Sequence, residues 1–119
     1  MKQDGSCRVL VVEGHPVTRE VLRRLLRAWG CDAVAVDTSA GAEAELDAVG
    51  RVFLDLHLPG GGGVDLLQSI RRRGPTIKVA VTTLSADESA VARAARLGAE
   101  TVFFKPVEFH QVAAWMRAA

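Results

Sequence analysis

The chain lacks any apolar run approaching the roughly 20 residues that a membrane-spanning helix needs. Its polar start, Met1-Lys2-Gln3-Asp4, lacks the apolar segment of a secretory signal. A cytoplasmic protein with no membrane partner is therefore expected. A surplus of charge is missing too: 15 Lys and Arg against 14 Asp and Glu leave a net charge of +1. That balance argues against a dedicated nucleic-acid binder, which normally carries a strongly basic face. Cysteine is scarce. Cys7 and Cys31 have no metal-ligand spacing, and in a reducing compartment they are expected to be two isolated thiols, not a disulfide. Linkers, repeats and low-complexity segments are absent. With 49% hydrophobic and 24% charged residues over 119 positions, the expectation is one globular domain, 1–119, with its core at about 7–118. Such a chain has room for one site and one or two interaction faces.

The sequence instead alternates short β-rich runs with longer stretches of helical period, the pattern of βαβ units around a parallel sheet. The strand candidates are 8–12, 33–36, 52–54, 77–82 and 101–104. Several are apolar throughout, as strands covered on both faces by helices must be. The first helix is predicted from Pro16, well suited to a first helical position, to a stop at Gly30, with Val21, Leu22, Leu25, Leu26 and Trp29 on its apolar stripe. Arg19, Arg23 and Arg27 form the opposite face, read as solvated. A weakly apolar second helix is expected over about 40–49. The third spans about 64–73, packing Leu66, Leu67 and Ile70, and is closed by Gly74-Pro75. Ser85 to Glu88 reads as a capping box for a fourth helix that stops at Gly98. A fifth, 108–117, offers Phe109, Val112, Ala113 and Met116 to the core, leaving Trp29 and Trp115 as helix-end packing residues. Right-handed crossovers fold these units into a three-layer α/β sandwich.

Open α/β sheets bind ligands beyond the carboxyl ends of their strands. At those ends this sequence places Glu13, Asp55, Thr83 and Lys105. Any one of them alone has an ordinary explanation: an Asp capping a turn, a Thr at a strand end, a Lys in solvent. Together they make an acidic pocket with a cation and a hydroxyl at its rim. Two neighbouring carboxylates repel unless a cation sits between them, and Mg²⁺, which favours carboxylates, carbonyls and water, is the natural guest. A carboxylate so placed can attack a phosphoryl group to give an acyl phosphate, with Lys105 and Thr83 as donors to the added charge. The histidines His15, His57 and His110 show no zinc spacing. His15 reads as a helix cap, and the run Arg71-Arg72-Arg73 as a cationic helix end favoured by the helix dipole.

The residues carrying this pattern are Val9 to Glu13, Phe53 to Gly60 around Asp55, Val81 to Thr83, and Phe104-Lys105-Pro106. In order and spacing they resemble the response-regulator receiver family, the CheY-like domains of two-component signalling, over essentially the whole chain. The resemblance implies a doubly wound five-stranded parallel sheet of order 2-1-3-4-5, flavodoxin-like, with a cis bond between Lys105 and Pro106. It implies Asp55 as phosphoacceptor, Thr83 as switch hydroxyl and Lys105 as the phosphate-pairing lysine. Glu13, Asp55 and the backbone carbonyl of His57 would hold Mg²⁺. Implied partners are a sensor histidine kinase or phosphotransfer protein, docked on the first helix, a downstream effector met through the fourth helix, fifth strand and fifth helix, and a second copy met through the fourth helix and fifth strand. Catalysis on other molecules is not expected beyond self-phosphorylation and autodephosphorylation.

Departures from the family pattern matter as much. Gly14 stands where receivers carry a second acid that ligates the metal, so weak Mg²⁺ binding is expected. Leu84 replaces a small residue beside the switch hydroxyl and narrows access to Asp55. Val102 replaces an aromatic that usually swings with that hydroxyl. Gly61 and Gly62 remove a capping side chain from the loop after Asp55. Two readings of the pocket therefore stand side by side: a working phosphoacceptor, and a pseudo-receiver that binds partners without phosphorylation. A third, a flavin or nucleotide binder on the same sheet, lacks its phosphate cradle, since Glu13-Gly14-His15-Pro16 is not a glycine-rich loop.

Overall fold

The computed structural model describes residues 7–60, 62–84 and 88–118. In chain order the elements are β1 (Arg8–Val12), α1 (Pro16–Ala28), β2 (Asp32–Val36), α2 (Ser39–Glu43), a 3-10 turn (Leu46–Ala48), β3 (Arg51–Asp55), α3 (Gly63–Arg73), β4 (Lys78–Thr83), α4 (Glu88–Arg96), β5 (Thr101–Phe104) and α5 (Phe109–Arg117). All four strand pairings are parallel, and the order is β2-β1-β3-β4-β5. This is the doubly wound arrangement expected, with the winding reversed between β1 and β3. All strands thus end on one edge, with a crevice at the switch point.

The strands sort their side chains by alternation. Leu10, Val12, Val52, Leu54, Val79 and Val81 pack with Ala42, Leu46, Leu66, Leu67, Ile70 and Ala94 from α2, the 3-10 turn, α3 and α4. Val9, Val11, Phe53 and Ala80 face the other way, against Leu22, Leu26, Val112 and Trp115 of α1 and α5. These two dry layers hold the sheet, each buried Leu, Ile or Val contributing about 1.5–3 kcal/mol against exposure. The helix signals act as read. His15 caps α1 by accepting from the Thr18 amide, Pro16 opens the helix, and Gly30 leaves it at φ +90°. Gly62, at φ +92°, caps α3 with no side-chain bond. The Lys105–Pro106 peptide is cis.

Several details differ from the sequence reading. The second helical segment is a short α2, capped by Thr38 Oγ1 at 3.0 Å from the Gly41 amide, followed by a separate 3-10 turn. Only Ala42 and Leu46 of that stretch are buried, too little apolar anchorage for one continuous helix. On α1 the buried stripe narrows to Leu22 and Leu26, and Trp29 is 41% exposed. On α5 the inward aromatic is Trp115, 8% exposed, and Phe109 is outside. Trp115 turns inward because its ring meets Phe53 edge-on at 4.9 Å and its indole N–H reaches Glu100 Oε1 at 3.1 Å, so neither end is unsatisfied. The expected capping residues Ser85, Ala86 and Asp87 lie outside the described residues.

The cysteine expectation is overturned outright: Cys7 and Cys31 form a disulfide. The cause is register. Arg8 pairs with Asp32, so the preceding residues of two adjacent parallel strands stand side by side, with Cα atoms 4.9 Å apart. That proximity is invisible in a sequence separation of 24.

Candidate functional site

Each site residue is delivered by the end of a strand. Glu13 follows β1, Asp55 ends β3, Thr83 ends β4 and Lys105 follows β5. The geometry that results is centred on the lysine. Lys105 Nζ donates to Glu13 Oε2 and to Asp55 Oδ2, both at 3.0 Å. Both carboxylates are almost fully buried, while the lysine side chain keeps 23% of its surface exposed. The second oxygen of Asp55 accepts the His57 amide at 2.9 Å, and Glu13 Oε2 also accepts the His15 amide at 3.1 Å. Glu13, Gly14, His15, Asp55, His57, Pro59, Leu84 and Lys105 line a cavity of about 340 Å³.

The electrostatics separate the two acids. Burial pushes the Glu13 carboxyl up, with the Asp55 charge adding to it, and the His15 amide and Lys105 only partly oppose this. Burial pushes Asp55 up as well, but the His57 amide and Lys105 overcome it and hold Asp55 below the usual carboxylate range. For Lys105 burial is likewise outweighed, and the two carboxylates raise its pKa. Asp55 is therefore an ionised, hydrogen-bonded carboxylate near neutral pH, as a nucleophile should be.

Thr83 is fully buried, and its hydroxyl is engaged by the His57 ring, Nε2 to Oγ1 at 2.9 Å, and by the Leu84 carbonyl at 3.3 Å. Reading His57 as a bystander apart from its carbonyl misses this contact. No metal-type spacing flags it, and only the loop after Asp55 brings position 57 across to β4. Arg19 likewise departs from the wet face that its helical spacing suggests. Its guanidinium donates to the Glu13 carbonyl at 3.0 Å and reaches the Gly14 carbonyl at 3.5 Å, bracing the loop that carries Glu13. Arg27 bonds the Ala33 carbonyl and Arg23 pairs with Glu20. Beside Asp55, in register on β4, the buried Thr82 hydroxyl has no partner among the described residues.

The donor set suits a hard divalent ion only in part. Glu13 and Asp55 supply two carboxylates, yet Lys105 already shares both, and Gly14 adds no oxygen. Among the described residues no cluster of three or more His, Cys, Asp or Glu side chains could hold a metal. A Cβ built on Gly14 would come within 2.8 Å of Pro59 Cγ and closer to Cδ, so the vacated ligand position is filled by the proline ring. Glu13 and Asp55 thus offer a hard ion two carboxylates, which it would have to share with the Lys105 ammonium.

Comparison with known proteins bears on the same residues. A family model described as the response regulator receiver domain matches residues 9–117. The chain is 36% identical over 111 residues to the sensory/regulatory protein RpfC of Xanthomonas campestris pv. campestris, covering 86% of this chain and 15% of that protein. It is 34% identical over 112 residues to the sensory transduction protein RegX3 of Mycobacterium tuberculosis, covering 92% and 49%. The chain thus spans from about a seventh to about half of these relatives. Among solved structures, a CheY-like receiver domain protein from Methanospirillum hungatei superposes with a TM-score of 0.87 at 20% identity, covering 92% of this chain and 90% of that one. A Burkholderia pseudomallei response regulator with a phosphorylated aspartic acid, a calcium ion and citrate gives 0.83 at 23% identity, covering 90% and 64%. These likenesses lend no support to a flavin or nucleotide binder.

Proposed function

The chain belongs to the response regulator receiver domain family, and on that premise we propose that it accepts a phosphoryl group on Asp55 and passes the signal on through altered protein contacts. The observation that carries this reading is the Lys105 ammonium 3.0 Å from Asp55 Oδ2, with Asp55 held below the usual carboxylate range in the lining of a cavity. An Asp55 oxygen attacks the phosphorus of a phosphohistidine; the new P–O bond forms as the P–N bond breaks, and the imidazole leaves and takes a proton. Lys105 then pairs with the added charge. Thr83 exchanges its bond to His57 for one to the phosphoryl group, which changes the end of β4. When bound, Mg²⁺ would neutralise part of the phosphoryl charge, held by Asp55, Glu13 and the His57 carbonyl.

The donor is a sensor histidine kinase or phosphotransfer protein, and both meet the chain in the cytoplasm. The output partner, an effector or a second copy, reads the face carrying Phe104 and Phe109, both about half exposed. Among the described residues no helix is long and apolar enough to cross a membrane.

Two observations favour the pseudo-receiver reading: a cation, Lys105, already pairs with both carboxylates, and the Pro59 ring fills the space a side chain at Gly14 would need. Incubation with acetyl phosphate or phosphoramidate, with and without Mg²⁺, decides between them by intact mass. A phosphoryl adduct that is missing in Asp55→Asn supports the phosphoacceptor, whereas no adduct at high donor and metal leaves a binding module.

A further inference from the structure

The disulfide lies at the opposite edge of the sheet from Asp55, where β1 and β2 begin. Cys31 is 8% exposed and Cys7 is half-buried, and both line a partly open cavity of about 380 Å³ with Trp29, Ala113, Met116 and Arg117. Backbone bonds hold the two residues together whatever the state of the sulfurs. The Asp32 amide donates to the Cys7 carbonyl at 2.8 Å, the Cys31 amide donates to the Leu26 carbonyl at 3.0 Å, and five residue pairs fix the register of β1 on β2. The register thus brings the two sulfurs into reach by itself, and Leu22 and Leu26 give α1 its own apolar anchorage beside the link. A sulfur pair that is preorganised, accessible from a cavity and dispensable for the register has the features of a redox-responsive bond, not a structural staple.

We propose that Cys7 and Cys31 form a reversible thiol–disulfide modification site that clamps the end of α1 to the sheet when oxidised. In reduction, a thiolate of an external dithiol attacks Cys7 Sγ. The Cys7–Cys31 bond breaks, Cys31 leaves with the electron pair and takes a proton, and the second thiol of the reductant then closes on the first and releases Cys7. The protein gains two electrons and two protons, and the dithiol becomes a disulfide. In the reverse direction a small disulfide such as oxidised glutathione accepts the two electrons. This site goes beyond the phosphoryl reading and does not depend on it.

The test is native, full-chain protein equilibrated in glutathione buffers of varied ratio, quenched by alkylation and read by intact mass. Trp29 fluorescence serves as a second readout, with Trp29→Phe to define the Trp115 background. Expected are a monomeric chain that interconverts between linked and fully alkylatable forms, a lower thermal midpoint when reduced, and loss of the response in Cys7→Ser and in Cys31→Ser with circular dichroism unchanged. Thiols that stay alkylatable in oxidised glutathione overturn the proposal. So does a bond that yields to dithiothreitol only after denaturation, or one that forms only between chains. Asp55→Asn protein should titrate identically, so a failed redox titration and a failed phosphorylation are read separately.

Discussion

Pro59 occupies the space that a side chain on Gly14 would need. A Cβ added at residue 14 would fall inside van der Waals contact of both Pro59 Cγ and Cδ, and a proline ring has little freedom to withdraw. The absent second acid and the packed proline are one arrangement, since the loop after Asp55 has closed onto the glycine.

Restoring the family acid therefore requires two changes. Gly14→Asp alone is expected to destabilise by about 1–3 kcal/mol through overpacking, with little gain in Mg²⁺ affinity. Gly14→Asp combined with Pro59→Ala should recover most of that stability and bind Mg²⁺ more tightly than either the parent or the single variant. Urea unfolding and Mg²⁺ titration of the His15 and His57 amide resonances check both halves. Equal metal affinity in single and double variants would show that Pro59 is not the obstacle.

Among the described residues, Lys105 is the cation that the two buried carboxylates share. Lys105→Met removes the charge and keeps the stem, leaving Glu13 and Asp55 facing each other unpaired. A loss of about 2–4 kcal/mol is expected at neutral pH, toward the low side of a broken buried pair because the lysine is partly solvated. The loss should shrink as pH falls toward 4, where protonated carboxyls no longer need the ammonium. A pH-independent loss would mean that packing, not charge, is what Lys105 supplies.

The contributions of the two acids to stability run in opposite directions with pH. Glu13 has a raised folded-state pKa, so its contribution is complete below the unfolded value of about 4.3 and is lost as pH rises through the folded one. Asp55 is depressed, so its contribution is present above about 3.9 and is lost as pH falls through its folded pKa. Glu13→Gln keeps acceptors for Lys105 and the His15 amide without the buried charge. Its stability relative to the parent should therefore improve between pH 4.5 and 7.5 in urea melts. A difference that moves the other way would place the uptake of the proton on another group.

Thr82 pairs in register with Asp55 and buries a hydroxyl with no partner among the described residues. Thr82→Val replaces that hydroxyl with a methyl of nearly the same shape, and removing an unsatisfied polar group is neutral to stabilising, by up to about 1–2 kcal/mol. A loss of stability in thermal melts would instead show that the hydroxyl has a partner in solution.

The fold was legible because its signals are local and repeated. Apolar strand runs, Pro16 and Gly30 around α1, and Gly74-Pro75 after α3 each act within a few residues. The three charged site residues were legible because strand ends in a parallel sheet share an edge. What escaped depended on contacts between distant segments. Cys7 meets Cys31 only through strand register, Trp115 turns inward because Phe53 and Glu100 await it, and Pro59 meets Gly14 only once β1 and β3 are neighbours. Periodicity does not encode such pairings.

The His57 ring is the least expected of these contacts, and it bears on switching. Its Nε2 lies 2.9 Å from Thr83 Oγ1, so the hydroxyl proposed to hydrogen-bond the phosphoryl group already has a partner before any transfer. Reaching a phosphoryl group on Asp55 costs that bond, worth about 0.5–1.5 kcal/mol net, or roughly a 2- to 12-fold bias toward the resting arrangement. His57→Ala keeps the backbone amide that binds Asp55 and removes only the ring. Because the residue is exposed, urea stability should change by less than about 1 kcal/mol. The phosphorylated fraction reached at fixed acetyl phosphate should rise severalfold, and adding Thr83→Ala should abolish the difference between the parent and His57→Ala proteins. If His57→Ala raises phosphorylation equally with Thr83 present and absent, the ring acts by blocking access to Asp55, and the bond to Thr83 is incidental to the switch.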